Sequence, residues 1–257
     1  MAIFTPTILQ KFEAPIRSGQ VLFLDAGDRR SYPGSGNTWF DISGNGNNAD
    51  ASLIVAAGYY NSALGGYFDW PGTDYTKIAT VPNSNSLQFM GGDFTIEYWG
   101  TIDATGTGFA DNAGPFAKSD WFANPGFGIL MVRLTGDANL GRMNFYVNNT
   151  SNFSATSGKV IDPFATNSWF CIQIVRRGGT LTNYSNLRSL QTYTGGGSAS
   201  MNNSNQLVIG RARNDATANY RWDGKLSVLN FYNRALTMDE LKANYNYFAP
   251  RYGLRQQ

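Results

Sequence analysis

Apolar residues recur along this chain in short bursts, and clusters of Gly, Asn, Ser and Pro separate the bursts. The clearest burst is FTIEYWGTI, residues 94–102. It places Phe94, Ile96, Tyr98 and Gly100 on one side and Thr95, Glu97, Trp99 and Thr101 on the other, the two-residue period of a strand. Runs at 21–26, 66–70, 76–81, 127–134, 142–149, 169–177, 187–194, 206–212 and 225–235 have the same character and are rich in Val, Ile, Tyr, Phe, Trp and Thr. About ten such runs with regular turn punctuation predict an all-β fold, two antiparallel sheets or a barrel. Strands do not alternate with long helical stretches, so a parallel α/β sheet is not expected.

One helix is signalled, at about 238–248. Thr237 and Glu240 form a capping box, Met238, Leu241, Tyr245 and Phe248 share a face, and Pro250 ends it. The N-terminus offers a shorter amphipathic segment. Thr5 stands as N-cap, Pro6 takes the first helical position, and Phe4, Ile8, Leu9 and Phe12 are its apolar residues. Three readings stay open for this arm of residues 1–19: it folds back on its own domain, it docks on a partner subunit, or it is disordered. Residues 20–257 then form a single β domain, a length that sandwiches reach as one unit.

Residues 38–52, TWFDISGNGNNADAS, put an aromatic pair ahead of nearly pure turn chemistry. Asp41 and Ser43 suit Asx- and Ser-type turns, and the Gly and Asn residues accept positive φ. The stretch reads as a rigid corner pinned by an aromatic ring. Two loops, residues 103–126 and 195–205, are long enough to invite a functional role.

Composition removes several chemistries. The chain has no histidine, which excludes a Ser-His-Asp triad, a Cys-His pair and His-based zinc sites. Cys171 is the sole cysteine and sits among apolar neighbours, so it reads as a small core residue. A net charge of +2 and the lack of a basic stripe argue against nucleic acid as a partner. The N-terminus lacks the features of a secretory signal, and no apolar run is long enough to span a membrane.

Six segments, in order, resemble the laminin G-like, concanavalin A-like lectin/glucanase family. They are SYPGSGNTWFDISGNGNNAD, YFDWPGTDYTKIA, FTIEYWGTI, WFCIQIVRRGG, LVIGRA and WDGKLSVLNFYNRALTMDEL. The likeness runs over roughly residues 20–247 and departs from the family pattern at 178–205. It implies a two-sheet antiparallel jelly-roll sandwich with a short C-terminal helix. Chains of this kind are frequent in bacteriophage and large-virus particles. The resemblance therefore implies a non-enzymatic virion surface protein, a capsid decoration or a tail or fibre component made in the host cytoplasm, with copies of itself or other virion proteins as partners. The alternative is a carbohydrate-binding adhesion module for cell-surface glycans.

Candidate site residues follow from both lines. Trp121, Phe122, Tyr220 and Trp222 lie in or near turn-rich segments, where exposed rings can stack on sugars. The family often carries Ca²⁺, and Asp69, Asp74 and Asp223 match its positions by motif, although no cofactor is required. The chain has three glutamates, Glu13, Glu97 and Glu240. With Glu97 read as an outward strand residue and Glu240 as a cap, no carboxylate pair for glycoside hydrolysis is expected.

Overall fold

The computed structural model describes residues 14–88, 92–103, 113–119, 126–133, 141–149, 153–154, 167–194, 203–213 and 221–257. Two eight-stranded sheets form the body. The first runs β14 (Arg188–Tyr193), β13 (Thr180–Ser185), β12 (Phe170–Arg177), β7 (Phe94–Gly100), β16 (Asp223–Tyr232), β5 (Tyr67–Pro71) and β4 (Tyr60–Asn61). β1 (Gln20–Asp25) shares the free side of β16 with β5, so that β5 takes Asp223–Leu226 and β1 takes the stretch from Val228 to Tyr232. The second sheet runs β11 (Phe153–Ser154), β10 (Gly141–Asn149), β9 (Gly126–Arg133), β8 (Phe116–Lys118), β15 (Leu207–Ile209), β6 (Ala79–Val81), β3 (Ala49–Asp50) and β2 (Thr38–Trp39). Every described pairing is antiparallel, as the all-β jelly-roll expectation requires.

The alternation in β7 decides the layering. Phe94, Ile96 and Tyr98 point between the sheets with Ile172, Ile174, Leu226 and Phe231, against Phe116, Phe127 and Phe145 of the second sheet. Phe231 meets Phe116 and Phe127 with ring centroids 5.7 Å apart in each case. Each of these rings removes enough apolar surface from water to contribute roughly 2–3 kcal/mol.

The corner at 38–52 is pinned as its sequence implies. Trp39 is fully buried against Phe68, centroids 4.8 Å apart, while Phe40 stays at the surface. The Asp41 carboxylate is the hub: it accepts the backbone N–H groups of Phe23, Ser43 and Asn47 and the Ser43 hydroxyl, at 2.8–2.9 Å. The short α1 (Ser52–Ala56), which the sequence did not announce, follows directly.

α2 (Met238–Phe248) lies on the outer face of the first sheet and continues as a 3-10 turn over Ala249–Tyr252 that contains Pro250. The capping box is formed, and Arg234 holds the Glu240 carboxylate with two further bonds of 2.7–2.8 Å. These partners, Arg234 first, draw the Glu240 carboxyl down to about 2. Leu241, Tyr245 and Phe248 face the sheet as the helical spacing implies, but Met238 in the first turn is 40% exposed.

Glu97 corrects an expectation. It does point away from the sheet-to-sheet core, yet α2 covers it completely. Trp99 Nε1, Gln173 Nε2 and Asn244 Nδ2 donate to its carboxylate at 3.0, 2.9 and 3.2 Å. Burial pushes the carboxyl above its usual range, against those three donors. Beside it Trp99 stacks on Tyr252 at 5.1 Å and packs on Tyr245 and Phe248, and Cys171 is buried in the same cluster. The outward residues of β7 thus serve a second, smaller core.

Residues 14–19, counted with the arm by sequence, are integrated into the domain. Ile16 N–H donates to Asn244 Oδ1 at 2.8 Å, the Tyr232 hydroxyl donates to the Ile16 carbonyl at 2.9 Å, and Arg234 donates to the Ser18 carbonyl. Phe4, Ile8, Leu9 and Phe12 lie outside the described residues.

Lys118 in β8 is a second buried charge. Among the described residues its ammonium donates to the carbonyl and the side-chain oxygen of Asn203, at 3.0 and 2.9 Å. Burial lowers its pKa to about 8. No carboxylate pairs with it among the described residues, which is rare for a buried lysine.

Two pH-resolved stability measurements check these buried charges. Glu97 has a folded-state pKa above the 4.5 of the unfolded chain. Its favourable contribution is therefore complete below pH 4.5 and fades as pH rises, and wild type should lose thermal stability relative to Glu97→Gln over that range. Glu97→Leu, which strands three donors, should cost about 3 kcal/mol in chemical denaturation at pH 7; an unchanged midpoint would mean that the network contributes nothing. For Lys118, depressed from 10.5 to about 8, the sign reverses. Wild type should gain melting temperature on Lys118→Met as pH rises from about 8 to 10.5, and a flat difference would contradict the burial argument.

Candidate functional site: an acidic and aromatic shelf

The outer face of the first sheet does not end under α2. Beyond Tyr252 it continues toward the start of β16 and the end of β7, and there the outward positions carry rings and charges. Trp169, just before β12, stacks on Tyr252 with centroids 4.3 Å apart at 24°. The Tyr67 ring meets Trp169 edge-on at 5.5 Å. Of the described tryptophans, Trp39, Trp70, Trp99 and Trp222 are fully buried, and Trp169 alone is half-buried.

Two positions on from Tyr67, and so on the same face, stands Asp69, in register with Lys225 of β16. The Lys225 ammonium makes a close ion pair with Asp103 and lies 3.6 Å from Asp69. Thr101 ties the group together: its hydroxyl donates to Asp103 at 2.5 Å and accepts the Lys225 backbone N–H at 3.1 Å. Asp103 N–H bonds the Asp223 carbonyl at 3.3 Å. Gly72 closes the rim in a left-handed conformation, φ 66°; a Cβ there would come within 2.7 Å of the Asp223 side chain.

Two carboxylates, Asp69 and Asp103, therefore flank one ammonium, and the Asp223 charge is felt nearby. Burial raises the Asp69 carboxyl above its usual range; Lys225 pulls it back and Asp103 adds to the rise. Burial also raises Asp223, and the charges of Asp103 and Asp69 reinforce it. Lys225 feels burial in the opposite sense, but its hydrogen bond to Asp103 and the Asp69 charge outweigh that and raise its pKa. The shelf is partly open, with the Asp69 side chain 39% exposed. It offers a ring surface beside acceptors and one cation.

The structure distributes the residues singled out by sequence unevenly. Trp222 is corrected: it is 1% exposed and meets Tyr98 edge-on at 6.4 Å inside the sandwich, so it has no face to offer a ligand. Its strand alternates, and Trp222 falls on the inward side with Leu226. Trp121, Phe122 and Tyr220 lie outside the described residues. Asp69 and Asp223 do come together. Asp74 does not join them: its carboxylate accepts the N–H and hydroxyl of Thr76 at 2.8 and 2.7 Å in an exposed turn.

That arrangement does not fit the Ca²⁺ expected from the motif. Ca²⁺ needs six to eight oxygens converging on one point, and here the Lys225 ammonium already stands between the carboxylates. No group of three or more candidate ligands converges among the described residues. Sequence reading missed Trp169, Tyr67, Thr101 and Lys225. The signal was present in WFCIQIV, whose alternation puts Trp169 on the side of Cys171 and Gln173, the face that α2 only partly covers.

The sequence model of the concanavalin A-like lectin/glucanases superfamily matches residues 71–242. No curated protein sequence matches the chain. Among solved structures, the binding domain of Paraclostridial Mosquitocidal Protein 1 superposes with a TM-score of 0.69 at 15% identity, over 93% of this chain and 56% of that one. The ligand-binding domain of botulinum neurotoxin serotype D in complex with N-acetylneuraminic acid gives 0.65 at 14% identity, over 90% and 51%. A Trypanosoma rangeli sialidase gives 0.54 at 14% identity, over 91% and 33%. The chain thus spans about half, or less, of the structures it resembles, and identities this low speak to the fold alone. The family match covers most of the sandwich whose two antiparallel sheets are described above, and this chain belongs to the concanavalin A-like lectin/glucanases superfamily.

Proposed function

We propose that the chain is a non-enzymatic glycan-binding module whose binding surface is the shelf of Trp169, Tyr67, Asp69, Asp103 and Lys225. The observation that carries this reading is Trp169, a half-buried indole braced from below by Tyr252 and bordered by side chains able to grip hydroxyls. A ring held rigid by stacking loses little entropy when a sugar lies on it. The toxin domains of the same fold, one solved with N-acetylneuraminic acid, support binding as the use of this architecture. An excess of carboxylates over the one ammonium, Asp69 and Asp103 at Lys225 with Asp223 nearby, favours a neutral sugar over an acidic one.

A hydrolytic role finds no support in the glutamates. Glu97 is sealed under α2 and Glu240 is engaged by Arg234 and the helix cap. Glu13 lies outside the described residues.

A virion surface component is the second reading. What favours it is the packing of residues 14–19 along α2, which fixes the root of an apolar N-terminal segment on the domain surface. The two readings are compatible, because a decorating protein can also bind glycans.

A glycan array probed with the wild-type protein, followed by calorimetric titration of any hit, tests the first reading. Trp169→Ala should weaken the hit by roughly 10- to 100-fold, the loss typical of a central aromatic contact. An array on which the wild type binds nothing sinks the proposal. Lys225→Met, which removes the ammonium from between Asp69 and Asp103, should lower the melting temperature most at neutral pH, with a cost of about 1–2 kcal/mol. The deficit should shrink as pH falls and the Asp69 carboxyl, raised by burial, takes up its proton; a deficit independent of pH would contradict the charge arrangement.

A further inference from the structure

An open groove of about 480 Å³ lies between the first turn of α2 and the outward side chains of β12 and β13. Its floor is Val175, Leu236 and Leu241; Tyr184 and Met238 stand at its walls. The same apolar cluster has Ile16 packed against it from the described end of the chain. Met238, the residue that breaks the expected helical face by pointing outward, is therefore explained as part of a groove wall.

The N-terminal root points away from this groove. Gly19 and Ser18 bond to residues 233 and 234, ahead of α2, and Ile16 bonds to Asn244, two turns into it. Followed toward its N-terminus, the chain thus runs along α2 in the direction of Phe248 and has receded from the first turn by about 9 Å at Ile16. Its own groove lies behind it. The remaining thirteen residues can extend about 40 Å, ample to reach another molecule, and they carry Phe4, Ile8, Leu9 and Phe12.

We propose that residues 1–13 of one copy dock into the α2 and β13 groove of a second copy, so that the arm builds a homo-oligomer. Apolar arm residues cover Met238, Tyr184 and the Thr180 and Thr182 side chains, which line an otherwise solvent-filled space. Arg177 at the groove, already donating to the Leu236 carbonyl, gives the site a positive edge suited to Glu13 of the incoming arm. Because donor arm and acceptor groove are different surfaces, the contact closes either by reciprocal exchange or around a ring.

Complementation between two full-length variants tests this. The arm variant carries Phe4→Asp, Ile8→Asp and Phe12→Asp. The groove variant carries Met238→Asp and Thr182→Lys, both at the surface, with Asp at a helix N-terminus favoured by the helix dipole. By light scattering after gel filtration, wild type should be oligomeric and each variant monomeric with an unchanged melting temperature. An equal mixture of the two should form a mixed dimer, since one intact arm meets one intact groove. A labelled peptide of residues 1–13 should bind the arm variant and not the groove variant by fluorescence anisotropy. The proposal is overturned if wild type is monomeric, if the groove variant still assembles, or if the mixture stays monomeric and the peptide fails to bind.

Discussion

The placement of α2 across the outer face of the first sheet is the constraint on which the rest depends. A sandwich strand that is buried on both sides needs two cores, and β7 has them: Phe94, Ile96 and Tyr98 serve one, Trp99 the other. The helix is held there by polar as well as apolar contacts. Asn244 and Gln173 meet at the Glu97 carboxylate, and Trp99, Tyr245, Phe248 and Tyr252 form a stack beside it. Leaving a buried acceptor or donor unmet costs more than the average hydrogen bond contributes, so this network fixes the helix in position rather than merely adding to stability.

Where the helix stops determines what the protein can offer to a partner. On one side its 3-10 extension ends at Tyr252, and the uncovered remainder of the sheet becomes the shelf of Trp169, Tyr67, Asp69 and Lys225. On the other side its first turn stands off from β13 and leaves the groove that Met238 borders. Both surfaces are continuations of the same outer face. The sandwich interior, by contrast, is filled by interlocking rings among the described residues.

Much of this fold was legible from residue pattern alone. Two-residue alternation located β7, β12 and β16, and the capping box located α2 almost to the residue. The Asp41 corner followed from turn chemistry, since an Asx side chain bonds neighbouring amides wherever it sits. What the sequence left hidden was set by tertiary cover. Glu97 looks like a solvent-facing strand residue until a helix some 140 residues later is laid over it. Trp222 looks like an end-loop ring until strand register turns it inward. Asp69 and Asp223 were found by motif, but their relation to Lys225 depends on the pairing of β5 with β16, which no local pattern specifies. Short strands such as β2, β3 and β8 carry too few residues for a period to show.

The account stands on one division: Trp99 and Trp222 are sealed by packing, while Trp169 is braced but open. Indole N–H resonances report each tryptophan separately. In an NMR titration with a sugar that binds the wild-type protein, the account predicts that the Trp169 indole signal moves in proportion to occupancy while those of Trp99 and Trp222 stay fixed. Movement of the Trp222 or Trp99 signal with Trp169 unchanged would contradict it.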